Sequence, residues 1–520
     1  MYQLLLTRKY LTSKVMPLLA MAAVTLSVAT VLVTWSVMGG FLNTLLSSGR
    51  TLIGDVSIHW PNTGFPHYDE LIDRLEADPQ IGSAAPIIET FGVVVLPDDQ
   101  VHGVVIKGVD GPSYGRVTGF DESLWWRPLD EPMRKDTERR DPRLGQDEGY
   151  HAGTDWGRLE TEGISLTDHL GEAAAVPGIE LSGWNIRLSN GVYEPGAPRV
   201  GDRNGNTGFL NLFLPDAELT LHLMPLDSRG RGVETVTRTI PVVNEFHSGI
   251  YEADSSQMFV RLDLVQRMMK MDAAEQIVPP ESPFEFDPTT GEFVESESKV
   301  IGVDPARVTT VLVRAADGVP VETEADIEAF RERVSEIYAG FAADHRGEVP
   351  SLDAMRILSW RDLNRSMIAA VEKETGLVLF VFGLVCFTTV FLVLAIFWSM
   401  VSEKTKDIGI LRSIGGSTAG IALLWLQYGA AVGAVGSGVG LLAAWLVVRN
   451  IIEIHEWLGQ NLGLVIWDPS VYYFFEIPSD MDWSKAAIVV IAGVLTCLIG
   501  AAIPAIRAGA MDPVRALRFE

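Results

Sequence analysis

Long uncharged stretches are the feature that most restricts how this chain can fold. Residues Val15 to Gly49 contain no charged side chain, and this is far longer than the apolar region of about 7–15 residues in a signal peptide. A helix needs about 20 apolar residues to cross a bilayer core of about 30 Å. By this criterion we predict four retained transmembrane helices, at residues 15–41, 376–401, 418–448 and 486–506.

Basic residues near the ends of these stretches predict an orientation in the membrane. Lys and Arg cluster in residues 1–14, 402–417 and 507–520, whereas Asn450 to Ser484 contains six acidic residues and no basic one. Because Lys and Arg are in excess on the cytoplasmic side, we predict that both termini and the loop between the second and third spans are cytoplasmic. The segments outside the cytoplasm are then 42–375 and 449–485.

The acidic residues are concentrated in the first of these outer segments. Residues 50–375 contain 57 of the 67 Asp and Glu residues and 30 of the 41 Lys and Arg residues. So acidic a segment argues against nucleic acid as a partner, since binding phosphates needs a basic surface. The two cysteines, Cys386 and Cys497, lie in apolar stretches and predict no disulfide framework, so the outer segment must be held by its own core.

Periodicity in the outer segment predicts mixed secondary structure. Tyr68 to Ala77 and Glu324 to Ala342 have the spacing of amphipathic helices. Ile87 to Leu96 and Val101 to Val109 are rich in β-branched residues and flank a turn, which predicts a hairpin. The fold class we predict is a membrane α-helical protein with four transmembrane helices and a large α+β extracytoplasmic domain of two lobes between the first two spans.

Two tracts interrupt this pattern, at residues 111–176 and 279–299. The first loses its periodicity and contains the charged run Met133 to Arg143. We interpret it as a mobile inserted loop, with a specific binding patch at the charged run as the alternative.

A polar amphipathic helix precedes the second span. Residues 360–375 contain neither Pro nor a Gly break before the apolar run begins. We therefore predict an uninterrupted stalk that carries motion between the outer domain and the membrane. The stalk residues that we single out are Trp360, Asn364, Glu372 and Lys373.

Glycines recur at helical spacing in the third span. They form two small-xxx-small pairs, a pattern that lets a second helix approach closely. The partner is either another helix of the same chain or a second permease subunit. The residues are Gly429, Gly433, Gly436 and Gly440.

Catalytic and metal-binding patterns are missing from the sequence. It contains no G-x-x-x-x-G-K-[ST] and no G-x-S-x-G, so neither ATP hydrolysis in a P-loop nor a nucleophile elbow is predicted. Asp202, Asn204 and Asn206 have calcium-loop spacing, but Thr207 stands where the sharp-turn Gly belongs. The nine histidines show no ligand spacing, and we predict no catalytic residue, no metal site and no cofactor bound by this chain itself.

Several segments resemble one known family in the same order along the chain. They are RKYLTSK (Arg8–Lys14), SVMGGFLNTL (Ser36–Leu45), FHSGIYEADSSQMFVRLDLVQRMM (Phe246–Met269), WRDLNRSMIAAVEKE (Trp360–Glu374), EKTKDIGILRSIGGS (Glu403–Ser417) and IPAIRAGAMDPVRALRFE (Ile503–Glu520). Together they resemble the FtsX/MacB superfamily of type VII ABC transporter permeases, and within it the LolC/LolE subunits that release lipoproteins.

The resemblance implies a non-enzymatic permease of the bacterial inner membrane, with a MacB-like outer domain and both termini in the cytoplasm. Its implied partners are P-loop ABC ATPase subunits that bind ATP and Mg, the lipid bilayer, and a second permease in a homodimer or a related heterodimer. A lipoprotein cargo and a periplasmic carrier are further implied partners. The alternatives are an FtsX-like mechanotransmission module that regulates an envelope enzyme, and MacB-like export of another cargo.

The same resemblance gives the loop at 402–417 a role as the contact with the ATPase. We predict a short amphipathic helix whose Ile408, Leu411 and Ile414 fill an apolar groove on the ATPase, followed by a break at the glycines. An ordinary basic loop is the alternative. The coupling residues predicted in this loop are Glu403, Lys404, Asp407, Ile408, Gly409, Leu411, Arg412, Ile414 and Gly415.

Overall fold

The protein divides into two compact units. The structure is a computed structural model that describes residues 15–129, 143, 154–188, 191–194, 199–201, 207–209, 217–225, 231–278, 284–286, 293–295, 299–464, 467, 474 and 477–517. The first unit, which we call the membrane unit, comprises residues 1–45, 366–467 and 476–520. The second, which we call the outer unit, comprises residues 46–365 and 468–475.

Helices dominate the membrane unit and are shorter in the outer unit. The described helices are α1 (Val15–Thr51), α2 (Tyr68–Glu76), α3 (Gly111–Val117), α4 (Phe120–Ser123), α5 (Trp156–Ser165), α6 (Tyr251–Ser256), α7 (Leu262–Met269), α8 (Glu324–Asp344), α9 (Trp360–Leu363), α10 (Arg365–Glu403), α11 (Thr405–Ser413), α12 (Thr418–Arg449), α13 (Ile451–Leu462), α14 (Trp483–Ala510) and α15 (Pro513–Leu517).

Strands occur in the outer unit. They are β1 (Val56–His59), β2 (Phe65–Pro66), β3 (Ile81–Val95), β4 (Val101–Val109), β5 (Ala175–Pro177), β6 (Ile186–Arg187), β7 (Tyr193–Glu194), β8 (Arg199–Gly201), β9 (Thr207–Phe209), β10 (Glu218–Leu223), β11 (Val236–Pro241), β12 (Gln257–Arg261), β13 (Ala274–Val278), β14 (Phe284–Phe286), β15 (Phe293–Glu295), β16 (Lys299–Asp304), β17 (Arg307–Val308), β18 (Thr310–Ala315) and β19 (Arg356–Ser359).

Among the described residues, four helices are long and apolar enough to cross a membrane. The parts that meet this criterion of length and composition are Pro17–Leu42, Ile368–Glu403, Thr418–Arg449 and Trp483–Ala510. These helices continue beyond the stretches expected from hydropathy, because a helix does not end where its side chains become polar. Together with the α+β outer unit, they confirm the predicted fold class.

One large sheet organises the outer unit. Its nine strands run in the order β19-β1-β18-β3-β4-β12-β5, with β10 pairing to β3 and β11 to β10. The predicted hairpin is confirmed, since β3 and β4 pair antiparallel from Ile87 opposite Val109 to Val95 opposite Val101. The strands come from both the N-terminal and the C-terminal half of the unit's sequence. A single sheet therefore connects the two lobes that the sequence predicts. Helix α2 packs on β3, and α8 packs on β19.

The tract predicted as a mobile loop contributes to the core of this unit. Tyr114 and Phe120 are both fully buried, and their ring centroids lie 5.4 and 4.7 Å from that of Phe259. Arg143 is buried as well and donates a hydrogen bond of 2.7 Å to the carbonyl of Trp125. The loop prediction is therefore wrong for the described part of 111–176, because helices as short as α3 and α4 leave no measurable period. The rest of the charged run lies outside the described residues.

The second interrupting tract is described only in part. Within 279–299, the described β14 and β15 pair antiparallel as a short hairpin. The strands that flank the tract, β13 and β16, also pair with each other. The described part of this tract is therefore a hairpin extension.

The predicted stalk is interrupted at Asn364. Helix α9 ends at Leu363 and α10 begins at Arg365, with Asn364 at φ −98° and ψ 12° between them. The Asn364 side chain donates a hydrogen bond of 2.9 Å to the carbonyl of Trp360, and such local bonds compete with the helical pattern. The prediction of one unbroken helix from residue 360 is wrong at this position.

Candidate functional site

An apolar cavity lies between the first two membrane helices. It has a volume of about 500 Å³ and is lined by one face of α1 and one face of α10. Leu26 and Val381 in its lining are 70% and 48% exposed, respectively, so the cavity is reached from outside the helix bundle. The hydroxyl-bearing side chains in its lining are Ser27, Thr30, Thr34 and Thr389.

The glycines of the third span hold α12 close to two helices of the same chain. A Cβ atom on Gly429 would lie 2.7 Å from Cβ of Ala501 in α14. A Cβ atom on Gly440 would lie 2.8 Å from the carbonyl oxygen of Thr25 in α1. Gly433 and Gly436 face the same two helices, in that order. All four predicted packing residues therefore serve contacts within the chain.

A hydrogen bond reinforces the contact between α1 and α12. Oγ1 of Thr25 donates to the carbonyl of Gly436 at 3.0 Å. The bond requires the backbones to approach closely, which the absence of a side chain at Gly436 permits. The small residues thus permit the close approach of α1 and α12, and the Thr25 hydroxyl adds a hydrogen bond between them.

The loop after the second span forms the predicted short helix. It is α11, with Lys404 and Ile414 as its flanking residues. Nζ of Lys404 forms an ion pair of 2.9 Å with Oδ2 of Asp407. A Cβ atom on Gly409 would lie 2.9 Å from Cβ of Ala516 in α15. One face of α11 is thus packed against the C-terminal helix.

This packing changes which residues can contact a partner. Ile408 is 3% exposed and belongs to the core of the membrane unit, and Leu411 packs against that core. The prediction that both fill a groove on another protein therefore disagrees with the structure, as it does for the buried Gly409. The exposed apolar side chains here are those of Ile410 in α11, at 51%, and of Ile414, the residue that follows the helix, at 76%.

Arg412 and two glycines shape the return of the chain toward the membrane. Nη1 of Arg412 donates to the carbonyl of Gly416 at 3.2 Å, so this guanidinium closes the end of α11. Gly415 has φ +100°, a backbone conformation that side chains with a Cβ atom rarely adopt. Ser417 caps the start of the next helix, α12, since its hydroxyl accepts a hydrogen bond from the Gly420 N–H at 3.0 Å. Arg412 and Gly415 therefore fix the loop geometry.

The remaining predicted residues lie in three different settings. Glu403 is exposed at the end of α10, and Lys373 is exposed within that helix. Trp360 is 3% exposed in the outer unit, so its ring serves the core. Glu372 lies in α10, and its side chain is outside the described residues.

The run FHSGIYEAD, residues Phe246 to Asp254, forms a corner of the outer unit that is held by several hydrogen bonds. Asp254 is fully buried, and its carboxylate accepts from the N–H and the hydroxyl of Ser248, both at 2.7 Å. Nδ1 of His247 lies 2.7 Å from the same carboxylate, and Gly249 has φ +81°. The run therefore fixes the corner that leads into α6 and β12.

A second buried carboxylate, Glu245, was not singled out from the sequence. It accepts hydrogen bonds from Nε1 of Trp126 at 2.6 Å and from Nδ2 of Asn185 at 2.9 Å. Burial raises the pKa of Glu245 to about 7, against the opposing effect of those two bonds. A lone Glu between strands carries no sequence signal, because its partners are 119 and 60 residues away.

Comparison with known proteins extends these observations. Residues 379–513 match the family FtsX-like permease C-terminal. This range contains most of α10 and all of α11, α12 and α14. The match therefore includes the loop at 402–417 and its helix α11, the glycines of the third span and most of one wall of the apolar cavity.

Curated relatives carry the names of lipoprotein-releasing system transmembrane proteins. LolC of Neisseria meningitidis is 29% identical over 168 residues, which is 32% of this chain and 40% of that protein. LolC of Xylella fastidiosa is 24% identical over 183 residues, which is 34% of this chain and 44% of that protein. LolE of Haemophilus influenzae is 27% identical over 138 residues, which is 26% and 32% of the two chains. The chain thus spans less than half the length of each of these relatives.

A solved structure also aligns with the chain. The periplasmic region of MacB from Actinobacillus actinomycetemcomitans covers 61% of this chain and 95% of that chain, at 8% identity and a TM-score of 0.26. A likeness at that level carries no argument about the fold.

Proposed function

We propose that this chain, which matches the FtsX-like permease C-terminal family over residues 379–513 and is similar to LolC and LolE, is a permease subunit that releases lipoproteins from the bacterial inner membrane. ATP hydrolysis by separate P-loop ATPase subunits would supply the energy. The bilayer and a second permease, either identical or related, are the other partners in this proposal. Both termini and the α11 loop would face the cytoplasm.

The apolar cavity between α1 and α10 is the observation that carries the proposal. A lipoprotein is held in a membrane by its acyl chains, and these are as apolar as the side chains that line this cavity. Moving an acyl chain from the bilayer into an apolar cavity beside it therefore costs little free energy. The volume of about 500 Å³ is sufficient for part of such a chain.

The exposed face of α11 supports coupling to an ATPase. Ile410 and Ile414 point away from the unit, while Ile408 anchors the helix to the membrane core. A helix held firmly on one face and apolar on the other is suited to dock in a groove of a partner and to transmit its movement. Lys406, exposed on the same short helix, would add a charged contact at the rim.

Depletion of the chain tests the proposal in cells. If the chain releases lipoproteins, these should accumulate in the inner membrane fraction when its expression is shut off. Ser27→Trp, which places a large side chain in the cavity, should give the same accumulation in cells that carry only the variant. Ile488→Trp is the matched control, because Ile488 is a 58% exposed residue of α14 outside the cavity lining.

The outcomes separate the proposal from its alternatives. Unchanged lipoprotein distribution on depletion, together with altered cell-wall hydrolysis, would favour an FtsX-like role in regulating an envelope enzyme. Accumulation in cells with Ile488→Trp as well as Ser27→Trp would show that filling the cavity is not the specific cause of the defect in release. Release that continues with Ser27→Trp at normal expression would contradict the assignment of the cavity to the acyl chains.

A further inference from the structure

Two histidines and two glutamates of the outer unit meet where α2 begins and α8 ends. Nε2 of His67 lies 2.6 Å from Oε2 of Glu348, and the two residues are 281 positions apart in sequence. Nε2 of His345 lies 3.0 Å from Oε2 of Glu70. The two imidazole rings are stacked, with their centroids 4.4 Å apart. Only the fold brings these four side chains together.

We propose that His67, His345 and Glu348 bind a divalent transition-metal ion of the zinc type. One ligand atom from each residue lies within 4.8 Å of the ligand atoms of the other two. Imidazole nitrogen and carboxylate oxygen are donors that Zn²⁺ accepts, at about 2.0–2.2 Å and with tetrahedral geometry. This site is independent of the proposed permease function.

The distances within the cluster suit a site that closes around an ion. Tetrahedral coordination at those bond lengths separates neighbouring donor atoms by roughly 3.4 Å. Oε2 of Glu348 lies 2.6 Å from the nearer nitrogen of His67 and 4.0 Å from Nδ1 of His345, and these values bracket that separation. Binding requires one ring to turn out of the stack so that both nitrogens point to the same ion.

The partner of the second ring nitrogen is a further indication. Nδ1 of His345 lies on the side of Glu348. Nε2 of the same ring is hydrogen-bonded to Glu70. Histidines that bind metals generally donate their other N–H to a carboxylate, which fixes the ring and its tautomer. Glu70 is itself held by Arg74 at 2.5 Å.

The cluster is accessible to an ion and contains a side chain that can move. Side-chain exposures are 27% for His67, 19% for His345 and 63% for Glu348. Glu348 follows Gly347, which has φ +92°, in a turn outside α8. Three protein ligands would leave a fourth coordination position for water.

Metal binding to the purified protein tests this inference. Untagged full-length protein in detergent is stripped with a chelator, dialysed, and titrated with Zn²⁺ alone in competition with a chromophoric chelator. We expect one Zn²⁺ per chain by elemental analysis and imidazole ligands by X-ray absorption. Zn²⁺ should also raise the thermal midpoint of unfolding, because an ion that binds only the folded chain stabilises it.

Variants of the ligands make the result specific. His67→Ala, His345→Ala and Glu348→Gln should each weaken Zn²⁺ binding by at least tenfold, and Glu70→Gln should weaken it by about tenfold through the orientation of His345. His169→Ala removes an exposed histidine elsewhere in the unit and should leave binding unchanged. Because Glu348 is largely exposed, its Gln variant should fold even if a histidine variant does not.

Two results from the wild type and Glu348→Gln would overturn the assignment. One is a wild-type chain that takes up less than one Zn²⁺ at concentrations where the competing chelator is saturated. The other is a folded Glu348→Gln variant that binds Zn²⁺ as tightly as the wild type, with the same number of imidazole ligands. Loss of Zn²⁺ binding in His169→Ala would likewise show that the ion binds elsewhere in the chain.

Discussion

Nε1 of Trp126 donates a hydrogen bond of 2.6 Å to Oε2 of Glu245, and both side chains are fully buried in the outer unit. Burial raises the pKa of this carboxyl to about 7 from an ordinary value of 4.5. The folded chain therefore keeps the proton over a range of pH in which the unfolded chain has released it.

The first prediction concerns stability and pH. Because the pKa is raised in the folded state, Glu245 stabilises the fold fully below about pH 4.5, and this stabilisation is lost as the pH rises to about 7. The loss is at most roughly 3 kcal/mol, at about 1.4 kcal/mol for each unit of pKa. Glu245→Gln cannot titrate and should show a smaller fall in thermal midpoint between pH 5 and pH 8.

The matched control for this experiment is Glu336→Gln, since the Glu336 side chain is 67% exposed. Its pH dependence should follow that of the wild type. An equal fall in midpoint for wild type and Glu245→Gln would show that Glu245 does not titrate in this range.

The second prediction concerns the crossing of α1 and α12. Gly440→Val should lower the thermal midpoint of the detergent-solubilised protein, because the new Cβ atom would meet the Thr25 carbonyl oxygen at 2.8 Å. Overpacking of this kind costs about 1–3 kcal/mol. Gly438→Val is the control on the same helix, since nothing lies within 4 Å of its Cβ position. Equal midpoints for the two variants would contradict the observed crossing.

The third prediction concerns the buried face of α11. Ile408→Ala should destabilise the membrane unit by about 2–4 kcal/mol, because it leaves a cavity at a side chain that is 3% exposed. The measurement is the thermal midpoint of the purified chain without any partner. A midpoint equal to that of the wild type would mean that Ile408 is free to contact another protein, as the sequence alone had suggested.

The fourth prediction concerns the exposed face of the same helix. Ile414→Ala should leave the midpoint of the isolated chain unchanged, because its side chain is 76% exposed. If the proposed docking to an ATPase is correct, Ile414→Ala should reduce the ATP hydrolysis of the complex in response to cargo, since an apolar contact with the ATPase would be lost. Ser402→Ala, at an exposed position just before α11, should leave that activity intact. Normal stimulation in Ile414→Ala would exclude this residue from coupling.

The sequence by itself determined the architecture and several local elements. Four membrane helices follow from uninterrupted apolar stretches, and the β3-β4 hairpin follows from two β-branched runs about a turn. Such signals are local, because they depend on the length and period of one segment. The residues of α11 could also be placed in a helix, since its spacing and the glycines after it are contained in a dozen positions.

Tertiary structure alone decided which side chains of those elements meet. In the folded chain Ile408 is buried and Ile414 is exposed. Which of the two is buried depends on where α15 packs. The tertiary structure also buried Tyr114 in a tract without periodicity, and it brought His67 to Glu348 across 281 positions. The physical reason is that a contact between distant residues is fixed by the packing of the whole unit, and no period or spacing within one segment encodes it.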